Sequence, residues 1–131
     1  EVCLTTGQPY SSFLTGSVKE REFAIVKIGL NRDREELFDR INHRVDQMVV
    51  DGMEAEARAL YPLRHLNALN TVGYKEWFDY FDGKFDREEA IRLIKRNTRR
   101  YAKKQLTWYR NSPEIHWFHP SQKEEILRVL E

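Results

Sequence analysis

The chain has 131 residues, 40% of them hydrophobic and 33% charged, with a formal net charge of only +1. That size suits one domain with its own core, and no apolar run approaches the ~20 residues that cross a bilayer as a helix. The lone cysteine, Cys3, excludes an internal disulfide and a cysteine-based zinc site, and it suits a reducing compartment such as the cytoplasm.

Glu1 to Thr6 reads as the tail of a helix ended by Gly7 and Pro9. A chain opening on Glu1-Val2-Cys3-Leu4, with no initiator Met, is expected to be a piece of a longer protein. Tyr10 to Glu22 is polar and reads as a loop. Phe23 to Leu30 is apolar on both faces apart from Lys27, the pattern of a strand inside a sheet. Asp33 then opens a helix, with Glu36 at capping-box spacing and Leu37, Ile41, Val45 and Met48 as its apolar stripe. Gly52 marks a joint to a second helical stretch, Met53 to Leu60, which Pro62 stops.

Arg64 to Asn70 is a connector, and Val72 to Phe81 predicts an unusually aromatic helix. Asp82-Gly83 is a turn. Asp86 and Glu89 form a second capping box at the start of a long helix that Asn111-Ser112-Pro113 ends. Ile115 to Phe118 is a second short strand, and Ser121 with Glu124 caps a last amphipathic helix through Leu130. The fold class is therefore α/β and mostly helical, several helices plus two short strands about 85 residues apart. Two such strands make a poor sheet alone, so they are expected to join strands upstream of Glu1.

Charge is concentrated in the long helix. Arg92 to Arg110 carries eight Lys/Arg and no Asp or Glu. At about 3.6 residues per turn, Arg92, Arg96, Arg99, Lys103 and Arg110 line one face. Ile91, Ile94, Thr98, Tyr101, Ala102, Gln105 and Trp108 line the face expected to enter a core. Such a basic face is either simply solvated or built for an anion. The missing i,i+4 acids and the interleaved Tyr101, Trp108 and Tyr109 favour a polyphosphate such as RNA, although such aromatics also serve as core.

Elsewhere the chemistry is sparse. His43, His65, His116 and His119 form no metal pattern, and Ser11, Ser12 and Cys3 lack a triad partner. None of the six glycines belongs to a G-x-x-x-x-G-K-[ST] loop. Arg40 and Arg44 lie four apart on one helical face, either as surface ion pairs with Asp39 and Asp46 or as an anion clamp. Asn70-Thr71-Val72-Gly73-Tyr74-Lys75 begins a helix, where exposed N–H groups and a lysine can hold a phosphate. Gly73 serves equally well for close helix packing.

Several stretches resemble the C-terminal part of the bacterial tRNA dimethylallyltransferase (tRNA isopentenyltransferase) family, over nearly the whole of residues 1–131. They are Leu4-Thr5-Thr6-Gly7-Gln8-Pro9 after Glu1-Val2, Arg40-Ile41-x-x-Arg44-Val45 running into Gly52-Met53-x-Ala55-Glu56, and Val72-Gly73-Tyr74-Lys75. The most specific is Thr98-Arg99-x-Tyr101-Ala102-Lys103-Lys104-Gln105-Leu106-Thr107-Trp108. The resemblance implies transfer of a dimethylallyl group from its diphosphate to the exocyclic amine of the adenosine beside the anticodon, flipped into a channel.

It also implies a P-loop nucleotide-kinase-like core, whose parallel sheet the two strands would complete. The phosphate loop, the catalytic Asp and the Mg2+ site would precede Glu1, so the fragment is expected to be inactive alone and to bind no cofactor. Contact with the tRNA anticodon arm is implied for Asn70, Thr71, Val72, Gly73, Tyr74 and Lys75. It is implied as well for Arg99, Arg100, Tyr101, Ala102, Lys103, Lys104, Gln105 and Leu106. The whole enzyme is expected to be a cytoplasmic monomer without membrane attachment, and the fragment to self-associate through exposed strand edges. Two other readings fit the residues: a stand-alone helical RNA-binding module, and a non-catalytic domain whose basic face meets an acidic protein.

Overall fold

The computed structural model describes residues 2–14 and 22–130. Most of the expected Tyr10–Glu22 loop, residues 15–21, lies outside the described residues. Before it stand a short helix α1 (Val2–Thr6), closed by Gly7 at φ 68°, and a single 3-10 turn, Tyr10–Phe13.

Strand β1 (Lys27–Leu30) pairs in parallel with β2 (Ile115–Phe118), Lys27 opposite Ile115 and Leu30 opposite Phe118. The strand expected over Phe23 to Leu30 is thus only half as long. The paired part of β2 is four residues long, and the side chains of Phe23 to Val26 stay exposed. Parallel pairing requires a long crossover, and all the intervening helices supply it. Gly29 is opposite Trp117, where a Cβ would come within 2.6 Å of Trp117 Cε3 and 2.8 Å of Ile115 Cγ2. Glycine is what lets the indole lie across the pair.

The crossover contains α2 (Arg34–Val50), α3 (Met53–Leu60), α4 (Tyr74–Phe81) and α5 (Arg87–Arg110). Gly52 makes the α2–α3 joint with φ 102°. Each helix gives one apolar stripe to a common core: Val45 from α2, Met53 and Ala57 from α3, Trp77 and Phe78 from α4, and Ala90 and Ile94 from α5. Full burial of side chains such as Trp77 and Ile94 contributes about 1.5–3 kcal/mol each for residues of this size.

The capping residues behave less simply than their spacing suggests. Asp86 accepts the Glu89 N–H at 2.8 Å as expected, but the Glu89 carboxylate grips Arg92 instead of reaching back. Asp33 sits at the N-cap of α2 without a side-chain cap bond, and the Glu36 carboxylate meets Arg32 and His119 instead of reaching back to it. Ser121 bonds the His119 ring, so Gln122 takes the N-cap position and the last helix, α6, covers only Lys123–Arg128 and stops short of Leu130.

The core occupies only the first half of α5. Tyr101 and Trp108 lie on the same side of the helix as Ile94, yet they are 58% and 76% exposed, and Gln105 is exposed too. This corrects their expected burial. Periodicity gives the correct side, but the residues that would cover it end with the α2–α4 cluster. The final turns of α5 run beside the strand pair, where Ala102, Gln105, Leu106 and Tyr109 face Gly29, Ile115 and Trp117 across an open groove of about 720 Å³.

Candidate nucleic-acid interface

The start of α4 is built around Gly73. Its φ of 106° and ψ of −68° suit glycine alone, and a Cβ there would lie 2.4 Å from Met53 Cε. The helix can therefore press its first residue against α3. The Gly73 N–H donates to Glu76 Oε2 at 2.7 Å, so that amide is already occupied and is not free to meet a phosphate. Glu76 is only 5% exposed. Its other oxygen, Oε1, accepts from Asn97 Nδ2 at 2.6 Å, and Asn97 Oδ1 in turn accepts from Arg96 Nε at 3.3 Å. A chain of hydrogen bonds thus runs from the middle of α5 to the N-cap of α4.

This link holds the loop before α4 against α5 and opens a groove of about 420 Å³ lined by Val72, Asn97, Arg100, Tyr101 and Lys104. Among the described residues no acidic side chain lines it. Among the described residues neither Arg100 nor Lys104 has an ion-pair partner, and both side chains are exposed. Tyr101 presents its ring beside them.

The rest of the basic helix divides by partner. Arg92 pairs with Glu89, and Lys95 pairs with Asp46 of α2 at 2.6 Å. Acids are therefore supplied from outside the Arg92–Arg110 segment, by Glu89 and by Asp46, although the segment itself holds none. Arg99, expected on the outer stripe, turns toward α2: it donates to Asn42 Oδ1 and sits 5.9 Å from the Phe38 ring centroid. Lys103 and Arg110 gather near Arg32 and Arg34 in a separate depression of about 210 Å³.

The two segments singled out in the sequence are thus only partly brought together. Val72 meets Arg100, Tyr101 and Lys104. Asn70 and Lys75 line a different pocket of about 260 Å³, with Arg64, His65, Asp79 and Asp82. Thr71 is exposed, and its carbonyl accepts the Lys75 N–H. Tyr74 leans onto α3, donating to Glu56 Oε1 at 2.6 Å; that carboxylate acceptor holds the phenol above its ordinary range. Ala102, Gln105 and Leu106 belong to the strand-side groove. Arg40 and Arg44 stay exposed on α2 and make no ion pair among the described residues, since Asp46 is committed to Lys95.

Glu76 and Asn97 escape a reading of the sequence. Gly73-x-x-Glu76 has capping-box spacing, but without Ser, Thr, Asp or Asn at the first position the motif is disguised.

A family model for IPP transferase matches residues 1–112. The chain belongs to the IPP transferase family. Among curated members it is 60% identical to tRNA dimethylallyltransferase 2 of Parabacteroides distasonis over 99% of this chain and 44% of that one. It is 64% identical to tRNA dimethylallyltransferase 2 of Porphyromonas gingivalis, again over 99% of this chain but 43% of the relative. The full-length tRNA isopentenylpyrophosphate transferase of Bacillus halodurans superposes with a TM-score of 0.75 at 44% identity, covering 91% of this chain and 40% of that one. The tRNA delta(2)-isopentenylpyrophosphate transferase of Staphylococcus epidermidis gives the same TM-score at 29% identity, over 97% and 45%. The chain therefore spans less than half the length of these relatives, and it shares its mostly helical α/β fold with the solved ones. Among its described residues no helix is long and apolar enough to cross a membrane.

Proposed function

We propose that this chain is the tRNA-contacting portion of a tRNA dimethylallyltransferase, which moves a dimethylallyl group from its diphosphate to the exocyclic amine of the adenosine beside the anticodon. The observation that supports this most directly is the groove where Val72 meets Arg100, Tyr101 and Lys104. Two unpaired cations meet phosphates at a net gain, because each neutralised phosphate releases a condensed counterion. An exposed aromatic ring between them offers a face on which an unstacked base can rest.

Other candidate residues divide between roles. Arg40, Arg44, Lys75 and Lys103 add to the positive field along the RNA. Gly73, Tyr74 and Arg99 hold their elements in place. The partners are the tRNA anticodon arm and, for the whole enzyme, dimethylallyl diphosphate, with the whole enzyme a cytoplasmic monomer. The outer edges of β1 and β2 give the isolated chain a route to pair with a second copy.

The chain alone does not perform the transfer. It contains no G-x-x-x-x-G-K-[ST] loop to hold the diphosphate. A labelled anticodon-arm hairpin titrated with the chain tests the binding role, and labelled dimethylallyl diphosphate offered with tRNA tests the inactivity. Binding that collapses as salt rises, with no prenylated product, is the expected outcome. Binding indifferent to salt would refute the phosphate-contact reading, and product from the chain alone would refute the division of labour.

A further inference from the structure

We infer that Glu76 is the positioning residue of the RNA groove: its buried carboxylate ties the cap of α4 to Asn97 and so sets where Val72 stands relative to Arg100, Tyr101 and Lys104. The inference rests on the RNA-contact reading of that groove and names a residue that does not itself touch RNA.

The geometry is specific. Glu76 is the sole buried charged side chain among the described residues, and it has no cationic partner. A carboxylate left without donors in such a place is costly. Here each oxygen receives one N–H, from Gly73 at 2.7 Å and from Asn97 at 2.6 Å. Arg96, donating to Asn97 Oδ1, polarises the Asn97 amide and strengthens its other bond, since hydrogen bonds in series reinforce one another. Asn97 is also one wall of the groove, and Val72, the residue before the tethered Gly73 amide, is another. The groove is therefore two elements joined through one carboxylate.

Electrostatics and positioning predict opposite signs. Removing a negative charge close to a polyanion's site tightens binding if the field alone matters. If Glu76 acts by holding the walls together, its removal weakens binding. Glutamine separates the link from the charge. In E76Q the new Oε1 can accept from Gly73 while Nε2 donates to Asn97 Oδ1 after an amide flip, so the bridge between α4 and Asn97 survives without the charge, and only the long Arg96–Asn97 bond is given up.

The test measures the affinity of the 131-residue chain for a labelled anticodon-arm hairpin, with far-UV circular dichroism reporting the fold of each variant. Positioning predicts that E76Q stays near the unaltered chain while E76A and N97A each bind about tenfold more weakly, the ratio that about 1.4 kcal/mol represents. The double variant E76A/N97A should lose no more than E76A, because both changes cut one link. Affinity that is unchanged or tighter in E76A overturns the inference, and so do losses that add in the double variant, which would make Asn97 an independent RNA contact. If E76A does not fold, N97A decides, because it leaves the Gly73–Glu76 cap intact: unchanged affinity there overturns the inference. A chain that fails to bind the hairpin at all overturns the RNA reading and this inference with it, whereas normal binding by every variant overturns only the inference.

Discussion

Glu76 and Asn97, 21 residues apart in the chain, meet at 2.6 Å. That single contact brings the α4 cap and the basic face of α5 into one groove. Hydrogen bonds to charged groups are worth about 1.5–3 kcal/mol, enough to order a short loop against a helix.

Replacement of Gly73 by Ala should destabilise the helical core by about 2–4 kcal/mol, combining an unfavourable positive φ with overpacking. The new methyl would have to share space with Met53 Cε, 2.4 Å away. Urea unfolding followed by tryptophan fluorescence measures this. A midpoint equal to that of the unaltered chain would show that the α3–α4 contact is soft and that glycine is not required there.

Tyr101 should be needed for its ring and not for its hydroxyl. It is 58% exposed and no bond to its hydroxyl is among the described contacts. Tyr101→Phe should keep the hairpin affinity, while Tyr101→Ala should lose about 1–3 kcal/mol, the usual worth of stacking one base on an aromatic side chain. Equal loss in both variants would point to the hydroxyl, and no loss in either would remove Tyr101 from the interface.

How far the sequence reveals this arrangement depends on the range of each contact. The Asp86–Glu89 cap is local, and its first half forms as the spacing predicts. The Ile115–Phe118 strand is equally legible, because apolar runs bounded by turn residues carry their own boundaries. Arg99 could not be placed in this way. Its partner Asn42 lies 57 residues earlier, and helical periodicity gives the side of a residue without giving what stands opposite. The same limit explains Trp108: its side of the helix is correct, but the extent of the core along α5 depends on where α2 to α4 end. Glu76 combines both difficulties, with a cap hidden by glycine and a partner on another helix.

Acid should loosen the strand pair before the helical core. Glu36 is held below its ordinary value of 4.5 chiefly by the His119 hydrogen bond, with Arg32 adding to it. Glu114 is held below 4.5 chiefly by Lys27. A carboxyl whose folded value is depressed contributes its full stabilisation above the ordinary value and loses it as pH falls through the lowered one. Both contacts tie the β1–β2 region together or to α2. An NMR titration should therefore show the Trp117 indole signal moving below pH 4.5 before that of buried Trp77. Simultaneous change of the two would mean that the acid transition is global.

The most direct measurement is the salt dependence of hairpin binding by the unaltered chain and by two double variants. R100A/K104A removes the two groove cations that have no ion-pair partner among the described residues, while R92A/K95A removes two that Glu89 and Asp46 already neutralise. The log–log slope against salt should become shallower by about one per lost phosphate contact in R100A/K104A and stay close to the original in R92A/K95A. Equal slopes for the two variants would contradict the account, because the groove between Val72 and α5 would then hold no phosphate of the RNA.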